Sequence, residues 1–200
     1  MPQKSTPWGV AQTTHSYGPG ITRYTTAGHG GIELSVGRNR DVHKAWRRPD
    51  GWYEEDCEAN IVVFTFPQHF PADHLAYATS ELKASFPHEF TAVTGQVVTI
   101  EESPVLRREQ FERQTQDQFV VASAFGSPPL VGPARELPAG MVGVLARKAT
   151  TQEEAWFLVP KEEYRARAKG ASFVVDPSRH EVWPALPIAQ LPSLAARGGR

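Results

Sequence analysis

Strand-like and helix-like segments occupy separate blocks of this chain, and this segregation limits the folds that it can adopt. Residues 21–26 and 32–36 are short β-type segments joined by a glycine-rich turn, which predicts a hairpin. Residues 72–84 carry apolar side chains at spacings of three and four, which predicts a helix that continues over 86–94. Further strands are predicted at 119–125, 141–146, 155–159 and 172–175. This order favours an α+β fold with a mostly antiparallel sheet and segregated helices over a doubly wound parallel sheet.

Residues 61–66 form an apolar run that fits two structures. As a strand ending before Pro67, the run would lie at the centre of a sheet that is covered on both faces. From Glu54 onward the same stretch also fits a buried helix, because short apolar runs do not distinguish the two. We predict the strand and keep the helix as the alternative.

Two helix boundaries can be read directly from the sequence. Ser103 followed by Pro104 is typical of an N-cap and the first helical position, which predicts a helix to about residue 116. Residues 160–170 carry acidic side chains first, basic side chains last and a final glycine, which is the order that a helix dipole favours.

Size and composition predict a single domain. The chain has 200 residues, of which 40% are hydrophobic, and this is enough to form a core without disulfides. We predict an N-terminal arm over residues 1–20, the domain over 21–183 and a loosely held tail over 184–200. One cysteine, a polar start and the lack of a long apolar stretch predict the cytosol and no membrane partner.

The balance of charges disfavours nucleic acid as the main partner. The formal net charge is −1, whereas a large phosphate-binding surface needs an excess of lysine and arginine. One basic stretch at residues 38–48 remains a candidate binding segment through Arg40, Arg47 and Arg48. The alternative is a solvated loop.

The run Thr26-Ala27-Gly28-His29-Gly30-Gly31 places an imidazole inside a glycine-rich turn. Small neighbours leave the ring edge accessible, which suits an acid–base group, a metal ligand or a hydrogen-bonding clamp. His29 is therefore a candidate catalytic residue, with Thr26, Gly30 and Gly31 as candidate binding residues. The alternative is that the glycines only form the turn.

The run Gly51-Trp52-Tyr53-Glu54-Glu55-Asp56-Cys57-Glu58 places four carboxylates behind two aromatic rings. On a strand or on a helix at least two of these carboxylates converge, which suits acid–base work, a cation or an arginine partner. Glu54, Glu55 and Asp56 are therefore the candidate catalytic partners of His29. Trp52 and Tyr53 are candidates for stacking on a ring, with a role in the core as the alternative.

Several common chemistries lack their signatures. Flanking carboxylates disfavour Cys57 as a nucleophile, because they suppress its thiolate. No histidine pair has zinc spacing, and neither a Cys-x-x-Cys motif nor a phosphate-binding loop is present. We therefore predict no metal site, and no cofactor is indicated.

Several runs together resemble an uncharacterised domain family carried by phages, plasmids and other mobile elements. The similar segments cover most of the chain: Trp8-Gly9-Val10-Ala11-Gln12, Gly20-Ile21, the two runs described above, Phe157-Leu158-Val159-Pro160 and Glu163-Tyr164. The resemblance implies an accessory gene of a mobile element that acts in a bacterial cytosol. Such genes often serve host takeover or counter-defence.

Three function hypotheses follow, of which the third is a nucleic-acid-binding regulator that uses the basic stretch at 38–48. The leading one is a mobile-element accessory protein that binds and inhibits a host protein complex, such as a CRISPR or restriction system. The alternative is a hydrolase or transferase that uses His29 with the carboxylates at 54–58, with or without a metal. A contact between His29 and those carboxylates in a concave pocket would favour the enzyme.

Overall fold

The computed structural model describes residues 4–126, 137–168 and 170–183. Its contacts separate two compact units, residues 1–109 and 110–200. We predicted one domain over residues 21–183. The difference arises because the apolar side chains before and after residue 109 pack into separate cores. The tail predicted over 184–200 lies outside the described residues.

The first unit begins with short strands. These are β1 (Ser5–Thr6), β2 (Gly9–Val10), β3 (Thr13–Gly18), β4 (Ile21–Thr25) and β5 (Gly30–Leu34), followed by α1 (Val36–Asp41) and β6 (Trp52–Glu54). β3, β4, β5 and β6 form an antiparallel sheet in that order, and β1 pairs with β2. The predicted hairpin is confirmed as β4 and β5.

The arm predicted over residues 1–20 differs from what is found. Its residues 13–18 form β3, which pairs along β4 and so satisfies backbone groups that an isolated arm would leave to solvent. The short pair β1–β2 precedes β3 in the same segment.

Helices follow the first sheet along the chain. They are α2 (Ala59–Thr65), α3 (Ala72–Ser85), α4 (Pro87–Thr94) and α5 (Pro104–Thr115), with a short 3-10 helix at Pro67–His69. The helices predicted at 72–84, 86–94 and from Pro104 are confirmed. Ser103 Oγ accepts from the Leu106 N–H at 3.4 Å, as its N-cap role requires.

The strand predicted over 61–66 is wrong, and the helical alternative is confirmed. Ile61, Val62 and Val63 are all buried in α2, which packs against both α3 and the sheet. A helix that is covered on two sides needs apolar residues around its circumference, and so does a strand in a sheet that is covered on both faces. The same run therefore fits a buried helix and a central strand equally well. Tertiary packing decides between them.

The two faces of the first sheet have different roles. The core face carries Ile21, Ile32 and Tyr53, which pack with α2 and with side chains such as Trp46 and Phe90. Strand pairing places Tyr24 opposite Gly31 and Gly31 opposite Glu54 on the other face, which we call the outer face. Neighbouring residues of the two candidate runs therefore face opposite sides of the sheet.

The second unit is a further antiparallel sheet with one described helix. Its elements are β7 (Phe119–Phe125), β8 (Met141–Arg147), β9 (Glu154–Pro160), α6 (Lys161–Ala166), β10 (Val174–Val175) and β11 (Glu181–Val182). The strands lie in the order β10-β7-β8-β9-β11. Their core includes Phe119, Val144 and Phe157. The α+β class with mostly antiparallel sheets and segregated helices is therefore confirmed.

None of the helices in the described ranges is both long enough and apolar enough to cross a membrane.

Candidate functional site

His29 lies in the β4–β5 turn, where its backbone makes the contacts. The Thr26 N–H and the Thr26 hydroxyl donate to the His29 carbonyl at 2.8 and 2.7 Å. The His29 N–H donates to Thr26 Oγ1 at 3.3 Å. The imidazole is exposed and forms no hydrogen bond or ion pair with any residue that the structure describes. The contact proposed between His29 and the carboxylates at 54–58 is therefore not made.

We expect His29→Ala to change the free energy of unfolding by less than about 0.5 kcal/mol, because the variant keeps the backbone groups that close the turn. Thr26→Val should cost about 1 kcal/mol, because it removes the hydroxyl that bonds the His29 carbonyl and N–H. Chemical denaturation of both variants checks this. A larger loss for His29→Ala than for Thr26→Val would contradict the turn as described.

Gly30 and Gly31 are fixed by close packing on opposite faces of the sheet. A Cβ at Gly31 would lie 2.2 Å from Trp8 Cη2 and 2.4 Å from the Tyr53 carbonyl oxygen. A Cβ at Gly30 would lie 2.6 Å from Glu55 Oε2 and 2.8 Å from the Tyr24 carbonyl oxygen. Two of the candidate glycines thus allow close approach rather than only bending the chain.

The acidic run divides between the two sides of the sheet. On the outer side, Glu58 forms an ion pair with Arg48 through Oε1 and accepts from the Glu54 N–H at 3.2 Å through Oε2. On the core side, Glu55 forms an ion pair with Arg23 at 3.3 Å. Asp56 is exposed. The Glu54 carboxylate accepts from the Asp56 N–H at 2.9 Å. Glu54 and Glu58 therefore share the outer side without a contact between their carboxylates, and Glu55 belongs to a different site.

The basic stretch mostly holds its own loop together. Arg47 donates from Nε to the Val42 carbonyl and from Nη2 to the Arg40 carbonyl, both at 2.8 Å. Arg48 is bound to Glu58. The exposed Arg40 side chain makes no hydrogen bond or ion pair within the described ranges. Two of the three candidate arginines thus have structural partners.

Trp52 and Tyr53 have different surroundings. Trp52 is partly exposed on the outer face, between Trp8 and Tyr24 at ring-centroid distances of 5.7 and 5.6 Å. Tyr53 is fully buried, and its hydroxyl donates to Asn39 Oδ1 at 2.6 Å. Burial raises the pKa of Tyr53 above its usual value. Tyr53 is therefore a core residue, whereas Trp52 belongs to a surface aromatic cluster and has Lys4 Nζ over its ring at 5.5 Å.

A shallow groove on the outer side collects several of the candidate residues. Its volume is about 410 Å³, and Arg48, Trp52 and Glu54 line it together with Pro7, Trp8, Pro49, Asp50 and Glu58.

A second hollow, which the sequence did not predict, lies on the core side. It is a cleft of about 480 Å³ at the polar end of the core face, bounded by α2 and the first turns of α3. We call it the α3 cleft. Its lining consists of Tyr17, Arg23, Gly31, Ile32, Glu55, Ala59, Asn60, Val63, Phe70, Asp73, His74 and Tyr77. Glu55 and Gly31 are the candidate residues from the sequence that contribute to it.

The polar wall of the α3 cleft is the Arg23–Glu55 ion pair. The pKa of Arg23 is raised above its usual value, first by its interaction with the Tyr17 hydroxyl and then by the Glu55 carboxylate. The Glu55 carboxylate, in the segment after β6, is the group that pairs with the guanidinium, at 3.3 Å. The cleft combines fixed charges, aromatic rings and an apolar floor, the usual ingredients of a binding site.

Among the described residues, no group of three or more His, Cys, Asp and Glu side chains is arranged to hold a metal ion. Cys57 is a free thiol whose Sγ accepts from the Ser85 hydroxyl at 3.8 Å.

Comparison with known proteins places the chain in a family. No curated protein and no solved structure matches it. A family model described as a domain of unknown function, DUF7007, matches residues 1–116, which is more than half of the chain and contains the α3 cleft. The chain therefore belongs to the DUF7007 family.

Proposed function

We propose that this protein acts by binding another protein through the α3 cleft. One observation carries the proposal: Tyr77, at the rim of this cleft, is 63% exposed. A tyrosine beside a concave, partly aromatic site is a typical anchor of a protein interface, because it buries a large ring at a small cost in conformational entropy.

The remainder of the cleft supports a preformed site. Ile32, Asn60 and Val63 are buried and form part of its floor. Arg23, in β4, forms an ion pair with Glu55, which directly follows β6. A partner would therefore meet side chains that already have their positions, which lowers the entropic cost of association.

The enzyme alternative depended on a contact between His29 and a carboxylate. That imidazole is exposed and unbonded within the described ranges, while Glu55 faces Arg23. Binding is therefore the function that we propose.

The biological setting of the proposal comes from the sequence resemblance. We place the protein in a bacterial cytosol, as a mobile-element accessory protein whose target is a host defence complex of the CRISPR or restriction type. The Thr26–Gly31 and Gly51–Glu58 runs support this setting, because they carry the resemblance and both contribute residues to the α3 cleft.

We expect Tyr77→Ala to reduce capture of the partner about fivefold or more, as for an interface anchor. Tagged full-length protein would be used to isolate bound proteins from a bacterial lysate, with quantification by mass spectrometry. The matched control is Val36→Ala, which removes a 73% exposed side chain that is not part of the cleft lining.

Retention of the same proteins by Tyr77→Ala, or their loss with Val36→Ala, would contradict binding at this cleft. Plaque counts on cells that carry a restriction or CRISPR system provide a second readout. Wild-type protein and Val36→Ala should raise the counts, whereas Tyr77→Ala should not.

A further inference from the structure

We infer that the α3 cleft takes a cationic side chain of the partner, and that arginine is the side chain it fits. This inference deepens the proposed function. It rests on that function for the statement that a partner protein carries the arginine. It is carried by an amide oxygen at the cleft wall that no described residue donates to, by an excess of carboxylate at the cleft and by the aromatic rings that line it.

Asn60 supplies the unpartnered acceptor. Its side chain lines the cleft although the residue is only 7% exposed. Its Nδ2 donates to the Cys57 carbonyl at 3.1 Å, whereas its Oδ1 accepts no hydrogen bond from the described residues. Because Asn60 lines the cleft, a ligand N–H can take the place of water as the donor to this oxygen. The ligand that suits this wall therefore brings N–H donors.

The charges at the cleft leave a carboxylate for the ligand. Arg23 is the one lysine or arginine among the lining residues, and it is already bound to Glu55. Asp73 also lines the cleft, and its carboxylate makes no hydrogen bond or ion pair with any described residue. With Arg23 matched by Glu55, Asp73 is the group that attracts a cation.

Aromatic rings complete the site. Tyr17 and Phe70 pack together at a centroid distance of 4.5 Å, and Tyr77 stands exposed at the rim. Cations are attracted to the faces of such rings, and the planar guanidinium also stacks on them. A guanidinium carries five N–H donors in a fixed plane, so one arginine can reach an amide oxygen and a carboxylate together.

The probe for this inference is N-acetyl-arginine methylamide, and its neutral near-isostere N-acetyl-citrulline methylamide is the control ligand. Each is titrated into the full-length ¹⁵N-labelled protein and followed by NMR. We expect saturable shifts of the Asn60 side-chain amide with the arginine probe, and binding of the citrulline probe at least about threefold weaker.

The protein variants separate charge from shape. Asp73→Asn should weaken the arginine probe about three- to fivefold, the size expected for an exposed ion pair. Asp41→Asn removes an exposed carboxylate that does not line the cleft and should leave binding unchanged. Tyr77→Phe should keep the affinity, whereas Tyr77→Leu should lower it about threefold.

Equal shifts with both probes, or no shift at Asn60, would overturn the inference even if Tyr77→Ala loses the partner. In that case the cleft binds a protein by other means. If the arginine probe behaves as expected while Tyr77→Ala and Asp73→Asn capture the same proteins as wild type, the inferred cation site stands and the proposed function fails.

Discussion

Replacing Gly31 with alanine is expected to destabilise the first unit by about 3 kcal/mol, the upper end of the usual range for an overpacked core. The new Cβ would lie 2.4 Å from the Tyr53 carbonyl oxygen, on the neighbouring strand, and 2.2 Å from Trp8 Cη2. The strand backbone cannot move away without disturbing the β5–β6 pairing, so the ring and the strand must both shift. Hydrogen-exchange mass spectrometry on peptides from β5 and β6 of the full chain measures the loss within this unit.

The matched control is Gly28→Ala in the turn that precedes β5, where a Cβ would meet nothing within 4 Å. Its effect should stay below about 0.5 kcal/mol. Trp8→Ala combined with Gly31→Ala should recover part of the loss, because one of the two clashes disappears. Wild-type exchange rates in Gly31→Ala would show that this contact does not constrain the sheet.

Replacing Tyr53 with phenylalanine is expected to lower the free energy of unfolding by about 2 kcal/mol, because two groups each lose a hydrogen bond to the phenol hydroxyl. The Tyr53 hydroxyl donates to Asn39 Oδ1 at 2.6 Å and accepts from the Arg48 N–H at 3.2 Å. Asn39 is buried, and no other side-chain bond to its Oδ1 is formed by the described residues. Tyr77→Phe is the control, because its exposed ring keeps the same contacts without the hydroxyl.

The difference between wild type and Tyr53→Phe should depend on pH in one direction. Burial raises the pKa of Tyr53 above its usual value of 10.0, so the folded state favours the neutral phenol. Its contribution is fully present below the unfolded pKa and is lost as pH rises through the higher folded pKa. Urea denaturation at pH 7 and above pH 10 should therefore show the gap between the two proteins narrowing. A gap that widens with pH would contradict the buried phenol.

Short-range sequence patterns correctly predicted the strands and helices that have one apolar side and one polar side. The hairpin followed from strand-like segments around a glycine-rich turn, and α3 followed from apolar residues on one stripe. Residues 61–66 carried no such asymmetry, since α2 is covered by the sheet and by α3. A run that is apolar all round is compatible with either structure, so only its neighbours in space determine which one forms.

The candidate site was predictable only in part, because sequence neighbours on a strand point to opposite faces. Glu54 and Glu55 are adjacent, yet one lines the outer groove and the other lines the α3 cleft. Conversely, Tyr17, Asn60 and Tyr77 share one cleft although they come from separate elements. Glu55 was identified as part of a site, but its partner Arg23 was not, since no local signal connects two residues 32 positions apart.

The division into two units places the α3 cleft in one part of the chain. The family match ends at residue 116, shortly after the first unit ends at 109, and the second unit has a core of its own. Every residue that lines the α3 cleft lies before residue 78. Sequence beyond residue 116 therefore supplies none of the side chains that line the α3 cleft, and the whole lining lies inside the segment that defines the family.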